Sequence, residues 1–147
     1  MPQDAKSLLV LINDAARLTR SEFGRSARDH KLTLLQWRTL GVLARGEAMT
    51  QSAIAARIEA SPMTMSDIVN RLESLGYVDR QTDPADSRAK RVHLAPAALP
   101  IVEDMRAIAQ SLTARALAGF SDAERDQLAA LLARVMANLD TPSPDHG

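Results

Sequence analysis

The chain has 147 residues, of which 46% are hydrophobic and 24% charged; 18 Lys and Arg residues balance 18 Asp and Glu residues, and there is no cysteine. These values suit one globular domain and exclude a mostly disordered chain, disulfides, thiol nucleophiles and thiolate metal sites. The longest apolar run near the start, Leu8 to Ile12, is too short for a membrane span and poorly flanked for a signal peptide, so we expect a cytoplasmic protein that does not enter a membrane.

Two helices are predicted in the first third of the chain. From Asp4 to about Arg28, apolar residues recur at intervals of three and four, which indicates a long amphipathic helix. Its apolar face comprises Leu8, Leu11, Ile12, Ala15, Leu18 and Phe23. A second helix begins after Thr33, whose hydroxyl suits an N-cap, and ends before Gly46, which we expect in the left-handed conformation.

The next two predicted helices are short and lie close together. One begins at Thr50, and the other begins at Ser61-Pro62, a polar N-cap followed by a proline at the first helical position. The second of them closes at Leu75-Gly76. Only residues 59–61 separate the two, and so tight a connection indicates a helix-turn-helix. The spacing places on the inner face of the second helix the residues Met65, Ile68, Val69 and Leu72.

A β-hairpin is predicted after the helix-turn-helix, because the apolar period changes from helical to two. The runs Tyr77–Arg80 and Lys90–Leu94 predict two strands, and Val92 and Leu94 share one face of the second. Between them, Asp83-Pro84-Ala85-Asp86 has the composition of a turn. The hairpin therefore has an exposed, charged tip.

The last third of the chain is predicted to be helical again. A helix runs from Ala97 to about Ala118, and Ser121 and Glu124 form a capping box ahead of a final helix. Residues 141–147, which include two prolines and no core residue, are expected to be a flexible tail.

This order of elements predicts a mainly α fold with a small β-hairpin wing. A winged helix-turn-helix covers about residues 33–95 and is flanked by helices at about 4–29 and 97–140, all within one domain of residues 1–140. The flanking apolar stripes are long for a small DNA-binding lobe, and dimerisation would bury them. In such a fold the second short helix enters a major groove, and the wing follows the backbone or the adjacent minor groove.

The outer face of the second short helix supplies candidate contacts to DNA. The hydroxyls of Thr64 and Ser66 bond phosphates or bases, the Asn70 amide pairs with an adenine edge, and Arg71 suits a phosphate or a guanine. For each residue the alternative is a solvated helix surface. The whole candidate face comprises Pro62, Met63, Thr64, Ser66, Asp67, Asn70 and Arg71.

The hairpin tip supplies the other candidates, three cations in four residues: Arg88, Lys90 and Arg91. Arginine is favoured by the negative potential of a narrow minor groove, although such a cluster also suits a solvated loop. We expect Asp86 to hold Arg88 in place through a charge-assisted hydrogen bond. The alternative for Asp86 is a turn-forming aspartate that bonds only to the backbone.

The chain from Leu32 to Leu94 resembles the MarR family of bacterial transcriptional regulators. The resemblance is carried by Leu32–Leu40, by Thr50-Gln51, by Asn70–Arg80 and by Asp83-Pro84-Ala85-Asp86-Ser87-Arg88, which is the most specific segment. The flanking helices fit the family's shape and hold no diagnostic motif.

The resemblance implies an obligate homodimer in which the first and the last two helices of both chains interlock, with paired winged helices on a roughly palindromic operator in double-stranded DNA. It also implies repression that is relieved by a small molecule, commonly a phenolic or aromatic carboxylate. By position, Ser61 to Ser66 would start the recognition helix, Asn70 and Arg71 would continue it, and Asp86 with Arg88 would form the wing pair. Asp67 departs from the pattern, since many relatives place a basic or neutral residue there, and this bears on the operator sequence.

An effector site is expected between the dimerisation helices and the DNA-binding lobe. Trp37 and Arg38 on the second helix are candidates for it, and Arg17 and Arg20 on the first helix are candidates for a ligand carboxylate. The alternatives are a core role for Trp37 and solvated or dimer-rim positions for the arginines. No cofactor or metal is expected.

Two other functions were weighed against DNA binding. Catalysis is not expected, because the three histidines are scattered and the chain has no metal-ligand spacing, Gly-rich phosphate loop or nucleophile elbow. A winged-helix module that binds a protein without DNA readout is the remaining alternative. Residues 50–99 carry six basic and six acidic residues, so any DNA affinity is expected to be modest and strongly salt-dependent.

Overall fold

The computed structural model describes residues 5–46, 48–86 and 88–141. In chain order the elements are α1 (Ala5–Asp29), α2 (Leu34–Arg45), β1 (Met49–Thr50), α3 (Gln51–Ile58), α4 (Pro62–Ser74), β2 (Val78–Thr82), β3 (Lys90–Leu94), a short 3₁₀ helix (Pro96–Ala98), α5 (Leu99–Ala116) and α6 (Asp122–Asp140). The predicted mainly α fold with a hairpin wing is confirmed. The predicted helix start at Asp4 and the predicted tail from 142 to 147 lie outside the described residues.

The chain forms two compact units, and the boundary between them lies within α5. The first ends at Ala109 and contains α1 to α4, the three strands and the first part of α5; the second begins at Gln110 and contains the rest of α5 and α6. The helix-turn-helix, the hairpin and their shared core therefore belong to the first unit.

Side-chain caps explain where the helices begin. Thr33 caps α2 through a capping box with Gln36, and Ser61 caps α4 with Pro62 at its first position. In the second unit the predicted box is confirmed: the Ser121 hydroxyl accepts from the Glu124 N–H at 3.1 Å, and the Glu124 carboxylate accepts from the Ser121 N–H at 3.0 Å. The bonds from Ser121 hold the pKa of Glu124 below its ordinary value.

Backbone conformations at the helix ends differ in part from the prediction. Gly76 after α4 is left-handed, with φ of +79°, as its place predicted, but Gly46 after α2 is extended, with φ of −145°, so the left-handed prediction for Gly46 was wrong. Two non-glycine residues, Lys31 and Glu59, adopt the left-handed conformation in the tight connections after α1 and α3. Those connections are four and three residues long, and each makes its sharp change of direction without a glycine.

The hairpin is part of a three-stranded antiparallel sheet in the order β1-β3-β2. β2 and β3 pair as predicted, with Arg80 opposite Val92, although β2 begins one residue and ends two residues later than expected. β1 pairs with β3 at Met49 and Thr50 and was not predicted. Two residues are too few to show a period of two, so only the paired strand reveals it.

The core of the first unit lies between the helix-turn-helix, α2 and the sheet. All four residues predicted on the inner face of α4 are buried. They join buried side chains from α2, α3, β2 and β3, among them Trp37, Leu40, Ile54, Ile58, Val78 and Val92. This common core fixes α4 and the hairpin in one rigid arrangement.

Two apolar surfaces are left exposed, one in each unit. On α1 the exposed large hydrophobic residues are Leu8, Leu9, Val10, Leu11, Ile12 and Leu18. On α6 they are Leu128, Leu131, Leu132, Met136 and Leu139. Apolar patches of this kind on a soluble protein mark interaction surfaces. In the part of the chain that the structure describes, no helix combines the length and apolarity that a membrane crossing requires.

Candidate nucleic-acid interface

The first turn of α4 is fixed by its own N-cap. The Ser61 hydroxyl accepts a hydrogen bond from the Thr64 N–H at 3.1 Å and donates one to the Thr64 hydroxyl at 2.9 Å. Thr64 and Ser66 are half-buried, whereas the Met63 side chain is 78% exposed. The start of α4 thus presents at the surface the thioether of Met63 and the hydrogen-bonded hydroxyls of Ser61 and Thr64.

Farther along α4, three polar residues share its outer face. Asp67, Asn70 and Arg71 are spaced by three and four residues and are all exposed. The predicted outer surface of this helix is therefore accessible, with one carboxylate, one amide and one guanidinium in a single row. Contact between these side chains and bases stays a prediction.

Arg80 of β2 reaches the outer face of α4 and contacts two of its side chains. Its Nη2 donates a hydrogen bond to the Asn70 Oδ1, and its Nε lies 3.8 Å from the Glu73 Oε2. Arg80 is not among the site residues predicted from the sequence. The available signal was the period of the strand, because Arg80 follows the buried Val78 by two residues and so shares the sheet face that packs against α4.

The base of the wing is held by Asp83 and Arg91. The Asp83 carboxylate accepts from the Ala85 N–H at 2.9 Å and from the Arg91 Nε at 3.2 Å. Chiefly through the bond from Ala85, and further through Arg91, the pKa of Asp83 is held below its ordinary value. The Arg91 Nη1 also donates to the Ala48 carbonyl at 3.1 Å, which joins the hairpin to the segment that leads into α3. Arg91, predicted as a DNA contact, is thus engaged within the protein.

The wing tip carries the remaining candidates. The Asp86 carboxylate accepts a hydrogen bond from the backbone N–H of Arg88 at 2.9 Å. This is the turn-forming geometry expected as the alternative to a bond with the Arg88 guanidinium. Arg88 and Lys90 are both exposed, so two cations of the predicted cluster are available at the surface.

A groove of about 590 Å³ lies within the first unit, and it brings three of the four candidate effector residues together. Trp37, only 3% exposed, and Arg38 both line it, as does Arg20 of α1. Arg17 does not line it and faces Asp14 on the exposed side of α1, at 3.4 Å. Among the described lining residues there is no Asp or Glu but there are five arginines: Arg20, Arg38, Arg45, Arg57 and Arg106.

Next to this groove, His30 connects the end of α1 to α5. Its Nδ1 lies 3.1 Å from the Ser26 carbonyl oxygen and its Nε2 lies 3.0 Å from an Asp104 carboxylate oxygen. Both partners are acceptors, so both bonds form together only when the imidazole is protonated. The bonds to Asp104 and then to Ser26 raise the pKa of His30 above 6.5. Its ring centroid is 5.2 Å from that of Trp37.

Among the described residues, no group of three or more His, Asp or Glu side chains is arranged to hold a metal ion.

Comparison with known proteins relates this arrangement to one family. Residues 30–89, which contain the helix-turn-helix and most of the hairpin, match the sequence model of the MarR family. The crystal structure of transcriptional regulator PA3341 is 30% identical, with a TM-score of 0.83 over 90% of this chain and 98% of its own.

Two further structures share the architecture. The transcriptional regulator SlyA is 26% identical, with a TM-score of 0.78 over 90% of this chain and 93% of its own. The protein of the S. aureus MepR-DNA complex is 22% identical, with a TM-score of 0.75 over 90% of this chain and 98% of its own, a likeness of fold.

Proposed function

The chain belongs to the MarR family of transcriptional regulators, and on that premise we propose that it is a sequence-specific DNA-binding regulator. The observation that carries the proposal is the exposed face of α4 beside a wing whose tip presents Arg88 and Lys90. α4 is the second helix of a helix-turn-helix, the helix that such proteins place in a major groove. The fold is shared with the protein of the S. aureus MepR-DNA complex, and this likeness supports the same interpretation.

Within this proposal the two kinds of contact have separate roles. Wing cations and the hydroxyls at the start of α4 bond phosphates and set the register of the protein on the duplex. The exposed side chains of α4 read base edges. Because the segment 50–99 is neutral overall, non-specific binding is weak. The contacts that the wing cations make to phosphates cause the affinity to fall as salt increases.

We further propose that the active form is a homodimer that represses transcription from a roughly palindromic operator. Exposed leucines on α1 and on α6 support association, because burial of apolar side chains stabilises an interface by about 25 cal/mol per Å². A two-fold dimer presents two copies of α4, and a two-fold symmetric operator matches them. We propose no catalytic activity, and we place the protein in the cytoplasm with its DNA.

A small anionic effector is part of the proposal and is supported by the groove in the first unit. Its lining combines apolar side chains, among them Phe23, Trp37 and Met105, with five arginines. Apolar walls suit an aromatic ring, and a guanidinium suits a carboxylate through paired, charge-assisted hydrogen bonds. An aromatic carboxylate that binds here releases the protein from DNA.

The effector is tested with benzoate and 4-hydroxybenzoate at millimolar concentration. Binding to the folded protein raises the melting temperature, and we expect a parallel loss of duplex affinity that is reduced in Arg38→Met. If neither compound changes the melting temperature or the duplex affinity, an aromatic acid is not the effector.

DNA binding is tested by selection from fragments of the host genome. The retained fragments should share a recurring sequence with approximate dyad symmetry, and their binding should weaken as salt increases. If no fragment is retained in a salt-sensitive way, DNA readout is excluded. Recovery of a specific partner protein under the same conditions would then favour the winged-helix protein-binding module.

A further inference from the structure

We propose that Arg80 is a positioning residue that determines which atoms of the Asn70 amide face DNA. The inference rests on the proposed DNA-binding function and extends it to a residue outside the recognition helix. Arg80 affects DNA binding through Asn70, and the strand β2 holds Arg80 in place.

The contact geometry places the Arg80 guanidinium against the outer side of α4. Asn70 is exposed on that helix, and its Oδ1 accepts a hydrogen bond from the Arg80 Nη2. The Arg80 side chain itself is only 19% exposed, and its Nε is buried with the Glu73 carboxylate 3.8 Å away. A cation in so confined a position keeps its orientation, because Glu73 compensates its charge and β2 fixes its backbone.

The chemistry of the Arg80 guanidinium determines which end of the Asn70 amide faces it. An arginine side chain has only donors, so the Asn70 atom that meets it is the carbonyl oxygen. The NH₂ group of Asn70 therefore points away from Arg80, and its two donors are available to a ligand. Without a fixed partner, an exposed asparagine amide presents either end with similar ease.

This orientation narrows what Asn70 recognises. Pairing with an adenine edge uses the oxygen and the nitrogen of one amide together. Because Arg80 holds the oxygen toward β2, Asn70 presents its NH₂ donors to DNA, and its target is a group with acceptors only: O6 and N7 of guanine in the major groove, or a phosphate oxygen. The sequence predicts that Asn70 pairs with an adenine edge. The contact with Arg80 favours recognition of guanine or of a phosphate in its place.

The test is a double-mutant cycle in the full-length protein on a duplex from the genomic selection. Arg80→Met keeps the apolar stem and removes the donors, and Asn70→Ala removes the amide. We expect each single variant to lose roughly 10-fold in affinity, within the range for a specific contact. The double variant should also lose roughly 10-fold, because the oriented amide is lost only once. Losses that multiply to roughly 100-fold would overturn the proposal.

Two companion measurements separate positioning from a general effect on the fold. Arg80→Lys restores one donor toward Asn70 and should recover part of the affinity, whereas the melting temperature should be similar in Arg80→Met and Arg80→Lys. In the free protein, the side-chain NH₂ resonances of Asn70 should shift in Arg80→Met and return toward their original positions in Arg80→Lys. Unchanged resonances in Arg80→Met would contradict the contact.

Base substitutions in the duplex identify the acceptor. If the target is guanine, Asn70→Ala relaxes specificity at one G·C pair; if it is a phosphate, the variant binds all sequences more weakly to the same degree. Either result supports a donor role, whereas a selective loss of adenine recognition overturns it. A wild-type protein that retains no duplex refutes the proposed function, and the resonances of Asn70 still decide whether Arg80 orients it.

Discussion

Arg88 and Arg91 lie three residues apart on the wing and have different surroundings. Arg91 is bonded to Asp83 and to the Ala48 carbonyl, so its guanidinium fixes the hairpin against the rest of the first unit. Arg88 is exposed beyond the turn that Asp86 stabilises. Composition alone cannot distinguish a cation that supports the wing from one that is available to DNA.

Arg88 should contribute directly to DNA affinity. We expect Arg88→Ala to weaken binding to a selected duplex by about 1–3 kcal/mol while the melting temperature is unchanged. Fluorescence anisotropy with a labelled duplex measures this. Arg25→Ala, which removes the same charge from α1, is the control and should bind nearly as well as the wild type. Wild-type affinity in Arg88→Ala would remove the wing tip from the mechanism.

His30 should make stability depend on pH. Its pKa is raised in the folded chain by the bonds to Asp104 and Ser26, so protonation stabilises the fold. That contribution is fully present below pH 6.5 and is lost as the pH rises through the raised pKa. Because Asp104 is mostly exposed, we expect the difference between wild type and His30→Gln to be about 0.5–1 kcal/mol at pH 5.5.

Chemical denaturation of both proteins between pH 5.5 and 9 measures this difference in the free energy of unfolding. The difference should shrink above the raised pKa. His93→Gln, which removes an imidazole from β3, is the control and should retain the pH dependence due to His30. A difference that stays constant over the range would show that His30 is neutral in the folded chain.

For the secondary-structure elements, most of the fold can be predicted from the sequence, because most elements depend on residues that are close together in the chain. Neighbouring residues in the sequence are enough to predict three N-caps, at Thr33, Ser61 and Ser121. They also predict the three-residue turn between α3 and α4 and the inner face of α4. Each of these predictions depends on a helical period or a cap within one turn.

What the sequence did not reveal depends on contacts between distant residues. The strand β1 exists because it pairs with β3, more than 40 residues later. His30 meets Asp104 across 74 residues, and Arg91 meets Ala48 across 43. Asn70 and Arg80 are closer in sequence, but their contact requires the packing of β2 on α4. No pattern within a window of one element contains these pairs.

The two glycines that follow α2 and α4 should respond differently to alanine. Gly76 has φ of +79°, where an alanine is strained, and Gly46 has φ of −145°, which any residue adopts. We expect Gly76→Ala to lower the free energy of unfolding by about 1 kcal/mol and Gly46→Ala to change it by less than about 0.5 kcal/mol. Urea denaturation measures both. Equal effects in the two variants would mean that backbone strain at Gly76 is not the cause.

At the scale of the whole molecule, the exposed apolar faces of α1 and α6 are the main feature that the single chain leaves unexplained. Leu131 of α6 is 47% exposed, and its apolar neighbours on that helix are similarly accessible. Faces of this kind would be costly to leave in water. Their burial between two chains is the arrangement we propose for the active protein.

We therefore expect a dimer at micromolar concentration in sedimentation velocity. Leu131→Glu places a charge on the apolar face of α6 and should shift the population to monomer without unfolding the chain. Ala130→Glu adds the same charge to the opposite side of α6 and should remain dimeric. A wild-type protein that sediments as a folded monomer would contradict the proposed interface.

In the proposed function, the outer face of α4 and the wing together read a DNA sequence. The most direct measurement is the ratio of dissociation constants for a scrambled duplex and a duplex from the genomic selection, at physiological salt. Our account predicts a ratio of roughly 10³ or more, with both affinities falling as salt increases. Equal affinity for the two duplexes would contradict sequence-specific recognition by this protein.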